Sequence, residues 1–233
     1  MTIEFGLLIL AAYLLGSVPA AYLAAKWSRG IDLRQYGSGN VGASNLLTIT
    51  SKWIAIPVII FDVGKGAVMV WAAQLLGLGI AEQVAVGLAA IIGHNWPVFL
   101  RFNGGRGALT TIGVLLILTP WLALILVAFA FLFFPFRQLA LGTTVAMAAL
   151  PLFSWFFSQP FGIEERLPVT LGFLAIFLIV LIRRLTTPRT SLSASVPRGQ
   201  LIINRLLFDR DIRDREAWIK RQPPEQQEKQ EKG

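Results

Sequence analysis

"YGSGNVGASN", Tyr36 to Asn45, sets Gly37, Gly39 and Gly42 at the spacing G-x-G-x-x-G. As a dinucleotide fingerprint it would follow a strand, open a soluble helix and be answered by an acidic residue about 20 positions on. Here it follows "SRGIDLRQ" and lies between two long apolar stretches, so the fingerprint reading fails on context. What survives is local chemistry. Three closely spaced glycines admit left-handed backbone, so successive N–H groups can converge on an anion. Ser38, Asn40, Ser44 and Asn45 add short neutral side chains. A loop that merely turns tightly would use the same residues.

The chain around this loop is 55% hydrophobic and only 15% charged over 233 residues, with a mean hydropathy of +0.64. A soluble domain carries nearer about 25% charge, so the composition indicates a polytopic membrane protein. The apolar stretches near 4–26, 53–77, 82–100, 107–119, 121–136, 138–157 and 167–182 predict an all-α fold of about seven transmembrane helices. Two of them, "ALTTIGVLLILT" and "WLALILVAFAFLFFPF", are shorter than a full span and meet in a turn at Pro120. The N-terminal stretch carries an acid and no basic n-region, and reads as a retained first span that "GSVP", Gly16 to Pro19, kinks. With the N-terminus outside, every Lys and Arg except Lys65 and Arg166 falls in a cytoplasmic segment. The positive-inside rule therefore sets the C-terminus in the cytoplasm. Residues 1–197 are expected to form one integral-membrane domain and 198–221 a basic amphipathic helix on the inner leaflet, with Leu201, Phe208, Ile212 and Ile219 at helical spacing. The remainder, 222–233, has the composition of a disordered tail.

Cysteine is absent and His94 is the only histidine, so thiolate and histidine-built metal sites are excluded and no metal or other cofactor is expected. Nucleic acid is not an expected partner; membrane lipids are. Chemistry must come from hydroxyls, amides, carboxylates, cations and backbone. A second glycine cluster, "FNGGRGALTTIG", sets Gly104, Gly105, Arg106 and Gly107 where a helix begins, a second place for backbone N–H groups and a guanidinium to meet a phosphate. "FDVGKGA" puts Asp62 and Lys65 one turn apart inside a span, where charges are costly unless paired or wet; they read as a structural pair or as part of a site. His94, at the end of the third span, is either a hydrogen-bonded structural residue or a general base. All these groups fall on one side of the membrane. Such a place suits the joining of a phosphorylated water-soluble molecule to a lipid tail.

"GSVPAAYLAAK", "GSGNVGASNLL", "DVGKGA" and "GHNWPVFLRFNGGRGALTTIG", in this order, resemble the bacterial acyl-phosphate:glycerol-3-phosphate acyltransferases, the PlsY family. The resemblance implies a seven-helix inner-membrane protein that transfers a fatty acyl group from acyl phosphate to the 1-hydroxyl of glycerol 3-phosphate without coenzyme A or a metal. It makes Ser38, with His94 and Asn204, the expected catalytic residues. Gly37, Gly39, Asn40, Asn45, Lys65, Gly104, Gly105, Arg106, Gly107 and Thr143 are the expected substrate-binding ones. Arg106 stands where the family usually has Lys. Thr48 stands at a family Arg and Arg184 at a family His, so a cation must be supplied by Arg34, Lys52 or another residue. Two readings compete with the enzyme: a membrane paralogue with altered or lost activity, and a small-anion transporter built around Asp62 and Lys65.

Overall fold

A computed structural model describes residues 3–223 of the chain, and among them every regular element is helical. The order is α1 (Ile3–Gly16), α2 (Ala20–Arg29), α3 (Ala43–Ile49), α4 (Lys52–Leu75), α5 (Ile80–Asn95), α6 (Ala108–Leu118), α7 (Pro120–Leu132), α8 (Leu139–Phe156), α9 (Arg166–Thr186), α10 (Arg198–Phe208) and α11 (Arg215–Ile219). Five helical stretches, 3–29, 52–75, 80–100, 139–156 and 166–186, are long and apolar enough to cross a bilayer. Helices α6 and α7 have 11 and 13 residues. At 1.5 Å per residue they reach roughly 17 and 20 Å, short of the ~30 Å hydrocarbon core. They meet at Thr119 and Pro120 as the sequence suggests, Pro120 occupying the first helical position, where its missing N–H costs nothing.

The expected kink of the first span is a full break. α1 ends at Gly16 and α2 begins at Ala20, and the chain between them is non-helical. The expected single helix over 198–221 is also corrected: Asp209 adopts a left-handed conformation (φ 57°) and ends α10, and α11 starts only at Arg215. Residues 224–233 of the expected tail lie outside the described residues.

Packing follows the logic of a lipid-facing protein, with small residues inward and large ones outward. α1 buries Ala12 and Gly16 but exposes Ile3, Leu7, Leu10 and Leu14. Two helix pairs approach backbone to backbone through glycines. A side chain on Gly66 of α4 would strike the Thr110 carbonyl of α6, and one on Gly113 of α6 would strike the Val63 carbonyl of α4. Gly16 of α1 and Gly93 of α5 are placed in the same way against Ala90 and Tyr13. Without water, the drive for helices to associate is close van der Waals contact, which small residues permit. The main core, with Val70, Ile91, Leu115, Leu122, Met147 and Phe173, joins α4 to α9, and a second cluster packs α2 and α3 on α4 through Ala25, Leu33, Leu46 and Val58.

Candidate functional site

The first glycine loop is held by one side chain. Asn45 is buried; its Oδ1 accepts from the Ser38 N–H (3.0 Å) and its Nδ2 faces the carbonyls of Leu33, Tyr36 and Asn40 at 3.0 to 3.3 Å. Gly37 and Gly39 are left-handed (φ 52° and 69°), and a Cβ on Gly37 would collide with Asn45 Oδ1. The amides here do not form an open anion nest. Gly37 N–H donates to Arg221 O (2.8 Å), Gly39 N–H to Tyr36 O (2.9 Å) and Asn40 N–H to Ser38 Oγ (3.3 Å). With Ser38 N–H on Asn45, four successive donors are used inside the protein, and Asn45 serves the loop rather than a ligand.

The second glycine loop is likewise turned inward. Gly104 N–H donates to Asn95 O (3.3 Å) and Gly105 N–H to His94 O (3.0 Å), so the loop folds back on the last carbonyls of α5. A side chain on Gly105 would enter the His94 imidazole. Arg183, buried near the end of α9, closes the loop from the other side. Its Nε donates to Gly105 O (3.0 Å), and its Nη2 to Gly104 O (2.7 Å) and Asn103 Oδ1 (2.9 Å). Gly107, left-handed at φ 74°, turns the chain into α6.

Beneath this loop lies the intramembrane pair. Lys65 Nζ is 2.8 Å from Asp62 Oδ1, His94 Nδ1 is 3.5 Å from the same oxygen, and all three side chains are buried. The break between α1 and α2 gives the ammonium a further acceptor, the Val18 carbonyl at 3.4 Å. Irregular backbone in a membrane-embedded segment persists where its polar groups meet such partners. The hollow that Asp62, His94, Gly104 and Gly105 line holds only about 10 Å³, the scale of a single water.

The large cavity is elsewhere. About 510 Å³ in volume, it is lined by Arg34, Ser38 and Gly39 from the first loop, Asn103 from the second, Arg189 from the segment after α9, and Arg221. Loop 103–105 thus contributes to both hollows, Asn103 to the large one and its glycines to the small one, and Ser38 and His94 line different ones. Among the described residues no carboxylate lines the large cavity. Arg34 is held by Asp32, whose carboxylate accepts from its Nε at 2.9 Å and Nη2 at 2.6 Å. That hydrogen bonding keeps Asp32 below the usual carboxylate range against an opposing effect of burial.

Three expected site residues are committed to other work. Arg106, expected to meet phosphate, is paired with Asp209 at 2.6 Å, and Arg184 lies 3.4 Å from the same carboxylate. Burial lowers the pKa of Arg106, with Asp209 opposing. Asn204 is fully buried and donates to Asp211 O (3.0 Å), bracing the turn after α10. Thr143 Oγ1 donates to Leu139 O, one turn back on its own helix; its neighbour Thr144 meets Arg184 instead. Asn40 and Lys65 do not line the large cavity either. Conversely, sequence reasoning passed over Arg183, Arg189, Arg221 and Asn103. The first three carried only the general signal of positive charge near a membrane face, which does not distinguish a loop clamp or a cavity wall from a solvated charge.

The glycerol-3-phosphate acyltransferase family model matches residues 6–194, ending before α10 and α11. Glycerol-3-phosphate acyltransferase 4 of Dehalococcoides mccartyi strain CBDB1 is 48% identical over 221 residues, 95% of either chain. The glycerol-3-phosphate acyltransferase of Laribacter hongkongensis strain HLHK9 is 40% identical over 173 residues, 72% of this chain and 85% of that one. The crystal structure of PlsY (YgiH), an integral membrane glycerol 3-phosphate acyltransferase, in its glycerol 3-phosphate form superposes with a TM-score of 0.73 at 30% identity, covering 91% of this chain and 96% of that one. The matched residues include both glycine loops, the Asp62/Lys65 pair and the serine at the large cavity, and on that extent of similarity the chain belongs to the glycerol-3-phosphate acyltransferase family.

Proposed function

We propose that this chain transfers a fatty acyl group from acyl phosphate to the 1-hydroxyl of glycerol 3-phosphate, forming lysophosphatidic acid and phosphate, the first step of phospholipid synthesis. Family membership supports the acyl acceptor. The observation that carries the site is the carboxylate-free cavity that Ser38 shares with three arginines, beside apolar helices able to hold an acyl chain. In the reaction the hydroxyl oxygen bonds to the acyl carbon, the bond from that carbon to the phosphate oxygen breaks, and phosphate departs. A phosphate oxygen, with a second pKa near about 6 in a monoester, can take the hydroxyl proton. An acyl phosphate already carries a good leaving group, so the protein's tasks are positioning and stabilising developing negative charge. Ser38, the hydroxyl that the first glycine loop brings to the cavity, is assigned that task. His94, under the glycine loop, acts by supporting it, and Asn204 acts by holding the turn that carries Asp209 and Asp211.

The membrane reading goes with this: a multi-pass protein of the bacterial inner membrane with seven crossings, α6 and α7 included, the N-terminus outside, and the site and C-terminal segment on the cytoplasmic face. The confinement of Lys and Arg, with two exceptions, to the segments this assigns to the cytoplasm supports it. Purified protein supplied with palmitoyl phosphate and glycerol 3-phosphate should release phosphate and lysophosphatidic acid, and palmitoyl-CoA in a parallel tube should give none. Ser38→Ala should lower turnover about 100-fold or more while leaving the protein folded. No product from either donor, in folded and inserted protein, would establish the altered paralogue instead.

A further inference from the structure

Arg106, the cation of the second glycine loop, is matched by Asp209. The large cavity is nonetheless cationic, and its charge comes from residues after α9. Of the three arginines lining it, Arg34 is neutralised by Asp32, whereas Arg189 and Arg221 have no salt bridge among the described residues. Arg221 is fixed in place. Trp218, buried at 4% exposure, anchors the short helix α11, and the chain beyond it clasps the first loop through paired contacts: Gly37 N–H to Arg221 O at 2.8 Å, and Arg221 Nε to Gly37 O at 2.8 Å. Its Nη2 donates to Arg34 O (3.0 Å), and the residue lines the cavity together with Ser38 and Gly39. Arg189 reaches the same cavity from the segment joining α9 to α10 and is itself exposed.

Two unmatched guanidiniums give a charge of about +2, and a phosphate monoester carries roughly −1.5 to −2 at neutral pH. Planar guanidinium forks are suited to phosphate oxygens. We propose that Arg189 and Arg221 hold a substrate phosphate group in the Ser38 cavity, so that the C-terminal arm completes the binding site. The proposal rests on the acyltransferase reading, and two phosphates satisfy it equally, that of glycerol 3-phosphate and that of the acyl donor.

Steady-state kinetics of Arg189→Ala and Arg221→Ala, with each substrate varied in turn, tests it. Each variant should raise the KM for one phosphorylated substrate about 10-fold, which corresponds to ~1.4 kcal/mol, with kcat changed less than about twofold. The double variant should raise it further. Arg198→Ala, which removes an exposed charge away from the cavity, should leave both KM values unchanged. A rise confined to glycerol 3-phosphate assigns the cavity to the acceptor, and one confined to acyl phosphate assigns it to the donor; either supports the proposal. Unchanged KM values for both substrates in an active Arg189→Ala protein overturn it and leave the acyltransferase reading standing. That variant also decides the matter should Arg221→Ala fail to fold, because the Arg189 side chain holds no other described residue. If the wild-type protein makes no product, equilibrium binding of radiolabelled glycerol 3-phosphate and of palmitoyl phosphate separates the two ideas. Binding of either one that Arg189→Ala weakens about 10-fold would keep the phosphate site while the reaction assignment fell, and binding of both that it leaves unchanged would overturn the site as well.

Discussion

Asp62 and Lys65 lie one helical turn apart on α4, and their meaning depends on what surrounds them. Two charges taken out of water lose several kcal/mol of hydration each, and their attraction compensates only in good geometry. Here the ammonium is 2.8 Å from the carboxylate and meets the Val18 carbonyl, and the imidazole of His94 closes on the same oxygen. Removing one partner strands the other. Lys65→Met should therefore cost on the order of 3–5 kcal/mol of stability, read as loss of folded protein in a detergent thermal melt. The double variant Asp62→Asn with Lys65→Met should be less damaged than Lys65→Met alone; equal or greater damage would show that the pair is not the stabilising unit. Arg183 poses the same question with carbonyl acceptors. Its guanidinium organises the second glycine loop without touching the large cavity, so Arg183→Gln should destabilise the protein by about 1.5–3 kcal/mol and lower turnover through the displaced loop.

Elements in this protein are joined by glycines on their flanks and by caps at their ends. Because Gly66 and Gly113 face each other's neighbouring carbonyls across α4 and α6, even one methyl forces backbone apart. Gly113→Ala should lower the thermal midpoint by an amount equivalent to about 1–3 kcal/mol, whereas Gly64→Ala, two residues from Gly66 on α4 but with open space around it, should not. A different element, the turn at residues 33–35, is capped by Asp32, whose carboxylate also holds Arg34. Its pKa in the folded protein is depressed, so its stabilisation is fully present above the unfolded value of about 3.9 and is lost as pH falls through the lower folded value. Asp32→Asn should remove that part of the acid-induced loss of stability below about pH 4, measured as the difference between the two proteins' melting profiles against pH.

For the whole molecule, the arrangement of charge and apolar length makes orientation testable without preparation, because the chain has no cysteine. Single cysteines at Glu164 and Ser195, both exposed, should be labelled by an impermeant maleimide from outside and from inside respectively in intact cells and inverted vesicles. The same accessibility for both would refute the proposed topology. The long apolar helices were legible beforehand, since the hydropathy of a span is a sum over about 20 residues and needs no knowledge of neighbours. The shortness of α6 and α7 and the family motifs were visible for the same reason. Local pattern was enough for the all-helical membrane class, an irregularity near Pro19 that was expected as a kink, the one-turn spacing of Asp62 and Lys65, and the family. Tertiary structure alone decided which polar groups remain available to a ligand. Asn45 and the backbone amides beside Ser38 are used up within the loop, Arg106 is claimed by Asp209, and Arg221 arrives beside Ser38 from 183 positions away in the chain. Hydrogen bonds and ion pairs are made between particular atoms brought together by packing, and no local pattern records which partner a donor will find first.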